Sequence, residues 1–130
     1  MFRSSLLVNL NYKQCRIIAV LWMAIIFAMS AQATVPVPQA IWGQDKVMHF
    51  LSYAILGYFL ARSFRDAHLG LTIKKAVFAA LIASVYGMSD EFHQSFVVGR
   101  DASVGDWVAD SLGGLVGALL LLRRKQTSVL

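Results

Sequence analysis

Four apolar stretches divide the chain, and the polar residues between and within them are unevenly placed. The first, IIAVLWMAIIFAMSAQATV from Ile17 to Val35, approaches the roughly 20 residues that a helix rising 1.5 Å per residue needs to cross a bilayer. The second, VMHFLSYAILGYFLA, follows Asp45 and Lys46, runs from Val47 to Ala61 and is stopped by Arg62 and Arg65. It is short for a crossing, so Lys46 and Arg62 are expected to snorkel at its two ends. The third, AVFAALIASVYGMS, offers fourteen apolar or small residues before Asp90. To reach membrane length its helix must continue through Glu91 and Gln94. The fourth, VGDWVADSLGGLVGALLLL, carries Asp106 and Asp110 within it and ends at Arg123, Arg124 and Lys125. This pattern predicts an all-α fold, an integral membrane four-helix bundle with short outer loops. A basic arm at 1–16, the helical domain at 17–122 and a basic tail at 123–130 would make up the chain.

The connectors agree with that division. VPVPQAIWGQ places Pro36 and Pro38 where they prevent helix continuation, and Trp42 sits where an aromatic belt residue would. SAQA, at the end of the first stretch, resembles a small-residue signal-peptidase site, so a cleaved signal sequence competes with a retained first helix. The apolar run is longer than the usual ~7–15-residue core of a signal peptide, which favours retention.

Composition strengthens the membrane reading: of 130 residues 58% are hydrophobic and only 15% charged, with positive mean hydropathy. The net charge of +5 does not point to nucleic acid, because the Lys and Arg residues form small groups between apolar runs rather than a basic face interleaved with aromatics. Cys15 is the single cysteine, so neither an intramolecular disulfide nor a cysteine-based metal site can form. Four crossings would put Arg3, Lys13, Arg16, Arg62, Arg65, Lys74, Lys75, Arg123, Arg124 and Lys125 on one side, leaving Lys46 and Arg100 on the other. The positive-inside rule makes the cation-rich side cytoplasmic. The expected location is therefore a membrane crossed several times, with both termini in the cytoplasm. Asp45, Asp90, Glu91, Asp101, Asp106 and Asp110 then converge on the outer side.

A carboxylate at the centre of a membrane segment costs about 2.5–3.5 kcal/mol, so such groups usually face a polar cavity and carry a function. Spacing assembles one here. Asp45 and His49 share a helix face at i, i+4, as do Asp90 and Gln94, with Glu91 three residues before Gln94. Asp106, Asp110, Gly113 and Gly117 follow an i, i+4, i+7, i+11 stripe. Structural explanations compete at several of these positions. Asp45 can serve as a helix cap, Ser103 and Asp106 form a capping-box pattern, His49 can be an interfacial histidine, and the Gly-xxx-Gly spacing can serve packing alone. Asp90 and Glu91 fit no such explanation, since they lie near a helix C-terminus, where the dipole disfavours negative charge. Arg100, just after Gly99, is the expected compensating partner, with a guanidinium suited to carboxylate or phosphate. With Lys46 and Arg100 facing six acids, the site is expected to hold a proton, a divalent cation or a cationic ligand.

The blocks DKVMHF at 45–50, DEFHQSFVVGR at 90–100 and DWVADSLGGLVG at 106–117 resemble, in order and spacing, the signature blocks of the VanZ-like family of small bacterial membrane proteins. The resemblance covers about residues 30–120 and implies functional positions at Asp45, Lys46, His49, Asp90, Glu91, Gln94, Arg100, Asp106, Asp110 and Gly113. Val98 stands where relatives often carry a proline before the Gly-Arg pair. The family is named after a protein associated with teicoplanin resistance, which implies work at the cell envelope and a link to glycopeptide susceptibility. Relatives in bacteria without resistance clusters show that resistance itself does not follow from the resemblance.

Three functions are then expected to compete. One is binding of a membrane lipid or cell-wall-precursor head group, with Arg100 and Lys46 on phosphate and Asp45, Asp90, Gln94, Asp106 and Asp110 lining the site. Another is a metal-assisted hydrolase or transferase on the same lipids, with Glu91 as general base, His49 as acid or ligand, and Asp106 with Asp110 holding a divalent cation such as magnesium. The third is an ion-coupled transporter or a partner of an envelope protein. So small a bundle would transport only as a homo-oligomer.

Overall fold

The structure is a computed structural model describing residues 10–32, 44–65 and 69–123. Arg3, the connector with Pro36, Pro38 and Trp42, Asp66, and Arg124 with Lys125 lie outside the described residues. Four helices account for nearly all of the rest: α1, Tyr12–Ser30; α2, Gln44–Ser63; α3, Ile73–Gln94; and α4, Val104–Leu120, continued by one 3-10 turn at Leu121–Arg123. No strand occurs among the described residues.

Local chemistry sets the helix starts. Asn11 caps α1 in a complete capping box: its Oδ1 accepts from the Gln14 N–H at 2.9 Å, and Gln14 Oε1 accepts from the Asn11 N–H at 2.9 Å. The helix therefore opens five residues before the apolar run at Ile17, taking in Lys13 and Arg16 of the expected basic arm. Thr72 caps α3 by accepting from the Lys75 N–H at 3.3 Å, and Ser103 caps α4. As expected from its length, α3 runs through Asp90 and Glu91 to Gln94.

The helices alternate in direction, so α1 is parallel to α3 and α2 to α4. Tyr86 Oη donates to the Met23 carbonyl at 2.6 Å and Gln94 Nε2 to Ser30 Oγ at 3.1 Å, joining α3 to α1 at two levels. Trp22 Nε1 donates to the Ser52 carbonyl at 2.8 Å, holding α1 against α2. Trp107 Nε1 donates to the Ser84 carbonyl at 3.0 Å, holding α4 against α3. Among the described residues, Asp45, Asp90, Glu91, Asp106 and Asp110 thus gather at one end of the bundle, while Arg16, Arg62, Arg65, Lys74 and Lys75 lie at or near the other.

Helices α2 and α4 approach each other closely along one seam. A Cβ placed on Gly113 would run into the Phe50 carbonyl oxygen, and one on Gly117 into that of Ala54. Only a bare backbone lets these helices lie so near each other. Small residues fill the remaining interior: Ala19, Ala61, Ala76, Ala79, Ala83 and Ala118 are almost wholly buried, along with Tyr53 and Leu56. The large apolar side chains face outward instead, among them Leu21, Leu51, Phe78, Leu81, Val85 and Leu112.

Candidate functional site

Three helix ends build the site. α2 contributes Lys46 and His49 from its first turns, α3 contributes Asp90 and Glu91 from its last, and α4 contributes Asp106 and Asp110 from its first two. His49 sits at the centre. Its Nδ1 lies 2.8 Å from Asp110 Oδ1 and 3.9 Å from Glu91 Oε1, and its Nε2 lies 3.9 Å from Asp106 Oδ2. Lys46 Nζ closes the outer side, 3.2 Å from Asp106 Oδ1 and 3.6 Å from Asp45 Oδ2. Asp110 is wholly buried, whereas Lys46 is half exposed, at 51% of its side chain. The cluster therefore runs from the bundle interior to its rim.

The start of α4 shows how the chain dedicates Asp106 to this cluster. Ser103 Oγ accepts from the Asp106 N–H at 3.0 Å, which is half of the capping box expected from the sequence. In a complete box the Asp106 carboxylate would accept the Ser103 N–H. Here Glu91 Oε2, from α3, takes that hydrogen bond at 3.1 Å. Glu91 thus acts as the capping carboxylate of a neighbouring helix, and Asp106 is left to pair with Lys46.

A second polar group adjoins the first, close enough for the Asp90 and Asp110 carboxylates to repel each other. Tyr53 Oη donates to Asp90 Oδ2 at 3.4 Å. The Ser30 hydroxyl accepts from Gln94 Nε2 and lies beside the Asp90 carboxylate. Asp90 and Gln94 therefore face α1 and the inner part of α2, while Glu91 faces His49 and α4. Ser30 is buried and joins the polar cluster, whereas Gln32 is exposed.

Two expectations need correction in detail. Arg100 does not compensate Asp90 and Glu91: among the described residues no carboxylate oxygen lies within 4.0 Å of its guanidinium. The left-handed turn at Gly99, φ 83°, hands Arg100 to the linker between α3 and α4. Compensation comes instead from His49, the Tyr53 hydroxyl and the Ser103 N–H at the positive end of α4. Asp45 lies in the first turn of α2, 43% exposed, so it stands at the rim rather than inside the cluster. His93 is half-buried and stacks on Phe27, ring centroids 4.6 Å apart.

Tyr53 is the residue that sequence reading passed over. It follows His49 by one helical turn and so shares its face. Trp107 is another: with Met88, Phe92, Ala102, Val104, Ser95, Ser103 and Glu91 it lines an open groove of about 300 Å³ between the end of α3 and the start of α4. Three oxygens of the cluster, Asp90 Oδ1, Glu91 Oε1 and Asp110 Oδ2, are buried without a hydrogen-bond partner. His49, Glu91 and Asp110 each offer a ligand atom within 4.8 Å of the others'. Chemically, the arrangement can accept a cation, exchange a proton between imidazole and carboxylate, or receive hydrogen-bond donors from a polar ligand.

Fold and site define a class, a small all-helical protein with a buried acid-histidine cluster at one end of its helices. The VanZ/LLP1 family profile matches residues 15–125, and the chain belongs to that family. Comparison with curated proteins and with solved structures gives no significant match.

Proposed function

We propose that this VanZ/LLP1 protein is a multi-pass protein of the bacterial inner membrane, both termini cytoplasmic, that binds the head group of an envelope lipid or cell-wall precursor at its acidic end. Helix α1 is long and apolar enough to cross a bilayer. The membrane reading of α2, α3 and α4 is supported by their inverted composition, with Leu51, Ile55, Phe78, Leu81, Val85, Leu112 and Val116 turned outward around alanines, glycines and carboxylates. In water that arrangement would expose a large apolar surface. In lipid it lets small residues form the helix contacts and keeps the acids inside.

The head-group reading is carried by one observation: Glu91 and Ser103 belong both to the polar cluster and to the wall of the mostly apolar groove. A ligand with a polar head and an apolar tail fits that junction. Lys46 at the rim and Arg100 on the linker would take its phosphate, and Asp106 and Asp110 would accept hydrogen bonds from sugar or amine groups. A second reading, a hydrolase or transferase on the same lipids, is favoured by the unpartnered Glu91 Oε1, 3.9 Å from His49 Nδ1, a pair able to act as base and acid.

The test is incubation of the purified protein in nanodiscs with labelled undecaprenyl-linked precursors, scoring bound and converted lipid for wild type, Arg100→Ala and Glu91→Gln. Binding that Arg100→Ala weakens at least tenfold supports head-group recognition. Conversion that Glu91→Gln abolishes makes the protein an enzyme. Retention no greater than that of empty nanodiscs refutes both readings, and a search for an envelope protein partner then takes precedence.

A further inference from the structure

We propose that His49, Glu91 and Asp110 form a binding site for one divalent transition-metal ion of the zinc or manganese type. This inference stands on the geometry of the three side chains and not on the lipid reading. Ligand atoms sharing an ion through bonds of about 2.0–2.1 Å lie about 2.8–3.4 Å apart at octahedral or tetrahedral angles. The distances from His49 Nδ1, 2.8 Å to Asp110 Oδ1 and 3.9 Å to Glu91 Oε1, bracket that range. The Glu91 and Asp110 ligand atoms lie within 4.8 Å of each other, so an inward movement of Glu91 would complete the set.

The strongest independent sign is the unpartnered oxygens. Asp110 is 0% and Glu91 8% exposed, yet Asp110 Oδ2 and Glu91 Oε1 have no hydrogen-bond partner. Buried polar atoms left so call for an explanation. Glu91 is held by the Ser103 N–H through Oε2, which leaves its other oxygen on the His49 side. A dication between these groups would satisfy that oxygen and offset the repulsion among the carboxylates.

The surroundings supply what a metal-bound histidine ordinarily has. Metal-ligating imidazoles usually donate their second ring N–H to a carboxylate that fixes tautomer and orientation. With Nδ1 on the ion, Nε2–H would face Asp106 Oδ2, now 3.9 Å away, and Asp106 is anchored by Lys46 at 3.2 Å. Asp106 thereby becomes a positioning residue, whereas sequence reading had paired it with Asp110 as a ligand. One imidazole nitrogen with two carboxylates suits zinc or manganese better than magnesium or calcium, which prefer all-oxygen sets. Three protein ligands also leave a position open, as in zinc sites that hold a substrate or water.

The experiment uses the full chain in detergent, stripped with chelator, loaded with Zn²⁺ or Mn²⁺ alone, desalted and assayed for bound metal. Wild type and Asp101→Asn, a change at an exposed linker acid, should each retain about one ion per chain, with affinity falling at least tenfold in His49→Gln and Glu91→Gln. Glu91→Gln keeps an oxygen for the Ser103 N–H, so its helix start should survive; circular dichroism checks this. Electron paramagnetic resonance of the Mn²⁺ form should show nitrogen coupling that His49→Gln removes. Equal loading of wild type and both variants, absence of nitrogen coupling, or displacement of the ion by millimolar Mg²⁺ would each overturn the assignment. Since no lipid is present, its failure leaves the head-group reading standing, and the reverse also holds.

Discussion

Replacing Gly117 by alanine tests whether the α2–α4 seam, rather than helix propensity, sets the stability of the bundle. The new methyl would lie 2.7 Å from the Ala54 carbonyl carbon and 2.9 Å from its Cα, with the carbonyl oxygen closer still. Ordinary contacts between carbons fall at about 3.5–4.0 Å, so α2 must withdraw by about 1 Å at this level. A gap of about 0.5–1 Å forfeits a quarter to a half of each pairwise attraction it interrupts, and Phe50 and Gly57 belong to the same seam. Overpacking of this kind costs about 1–3 kcal/mol. Against it stands a gain of about 0.5–1 kcal/mol from replacing glycine by alanine inside a helix.

Gly105 supplies the control. A methyl there meets the flexible end of Lys46, 3.2 Å from its Cε, and touches Ser103 Oγ at an ordinary 3.8 Å, so Gly105→Ala should show the gain without a backbone clash. Unfolding of both variants in mixed dodecylmaltoside and SDS micelles, followed by circular dichroism, should separate them by about 1–3 kcal/mol, with Gly117→Ala the less stable. Equal midpoints would refute the reasoning, because helix propensity alone predicts no penalty at Gly117.

Three further outcomes are expected. Tyr53→Phe removes the hydroxyl that donates to Asp90 at 3.4 Å and should lower stability by about 0.6 kcal/mol, and by no more than about 1.7, in the same unfolding assay. Ser103→Ala removes the α4 cap but keeps the N–H that Glu91 accepts, so stability should fall by about 1 kcal/mol while metal loading stays within twofold of wild type. In a Cys15→Ala background, Ser95→Cys should react with a membrane-impermeant maleimide in intact cells and Lys74→Cys only after permeabilisation; the opposite pattern would invert the proposed topology.

Much of the fold was legible because hydropathy and length constrain it directly. The fourteen apolar or small residues before Asp90 were too few for a crossing, and α3 does continue through Glu91 to Gln94. The Asp106, Asp110, Gly113, Gly117 stripe faces inward as its spacing implied. The start of α1 was not legible from hydropathy, because Asn11 and Gln14 set it through hydrogen bonds that an apolar count ignores. Tyr53 escaped for a related reason. An aromatic residue inside an apolar run reads as core, and only the position of Asp90 on another helix gives its hydroxyl a purpose.

The Arg100 expectation shows where sequence reasoning meets its limit and what replaces it. Charge balance required something to offset Asp90 and Glu91 at a helix C-terminus, and counting charges left Arg100 and Lys46 as the candidates. The fold offsets them without an arginine beside Glu91: its Oε2 accepts the first free N–H of α4, and its Oε1 is left 3.9 Å from an imidazole. An arginine in that place would have neutralised Glu91 with a bound cation of the chain's own. A capping N–H and a histidine hold the carboxylate while leaving one oxygen unengaged, and Arg100 stays on the linker outside the cluster. The same choice recurs at Asp110, whose Oδ1 is taken by His49 while Oδ2 remains without a partner. Two buried acids are each secured through one oxygen only, which is the electrostatic opening that the proposed metal ion would close.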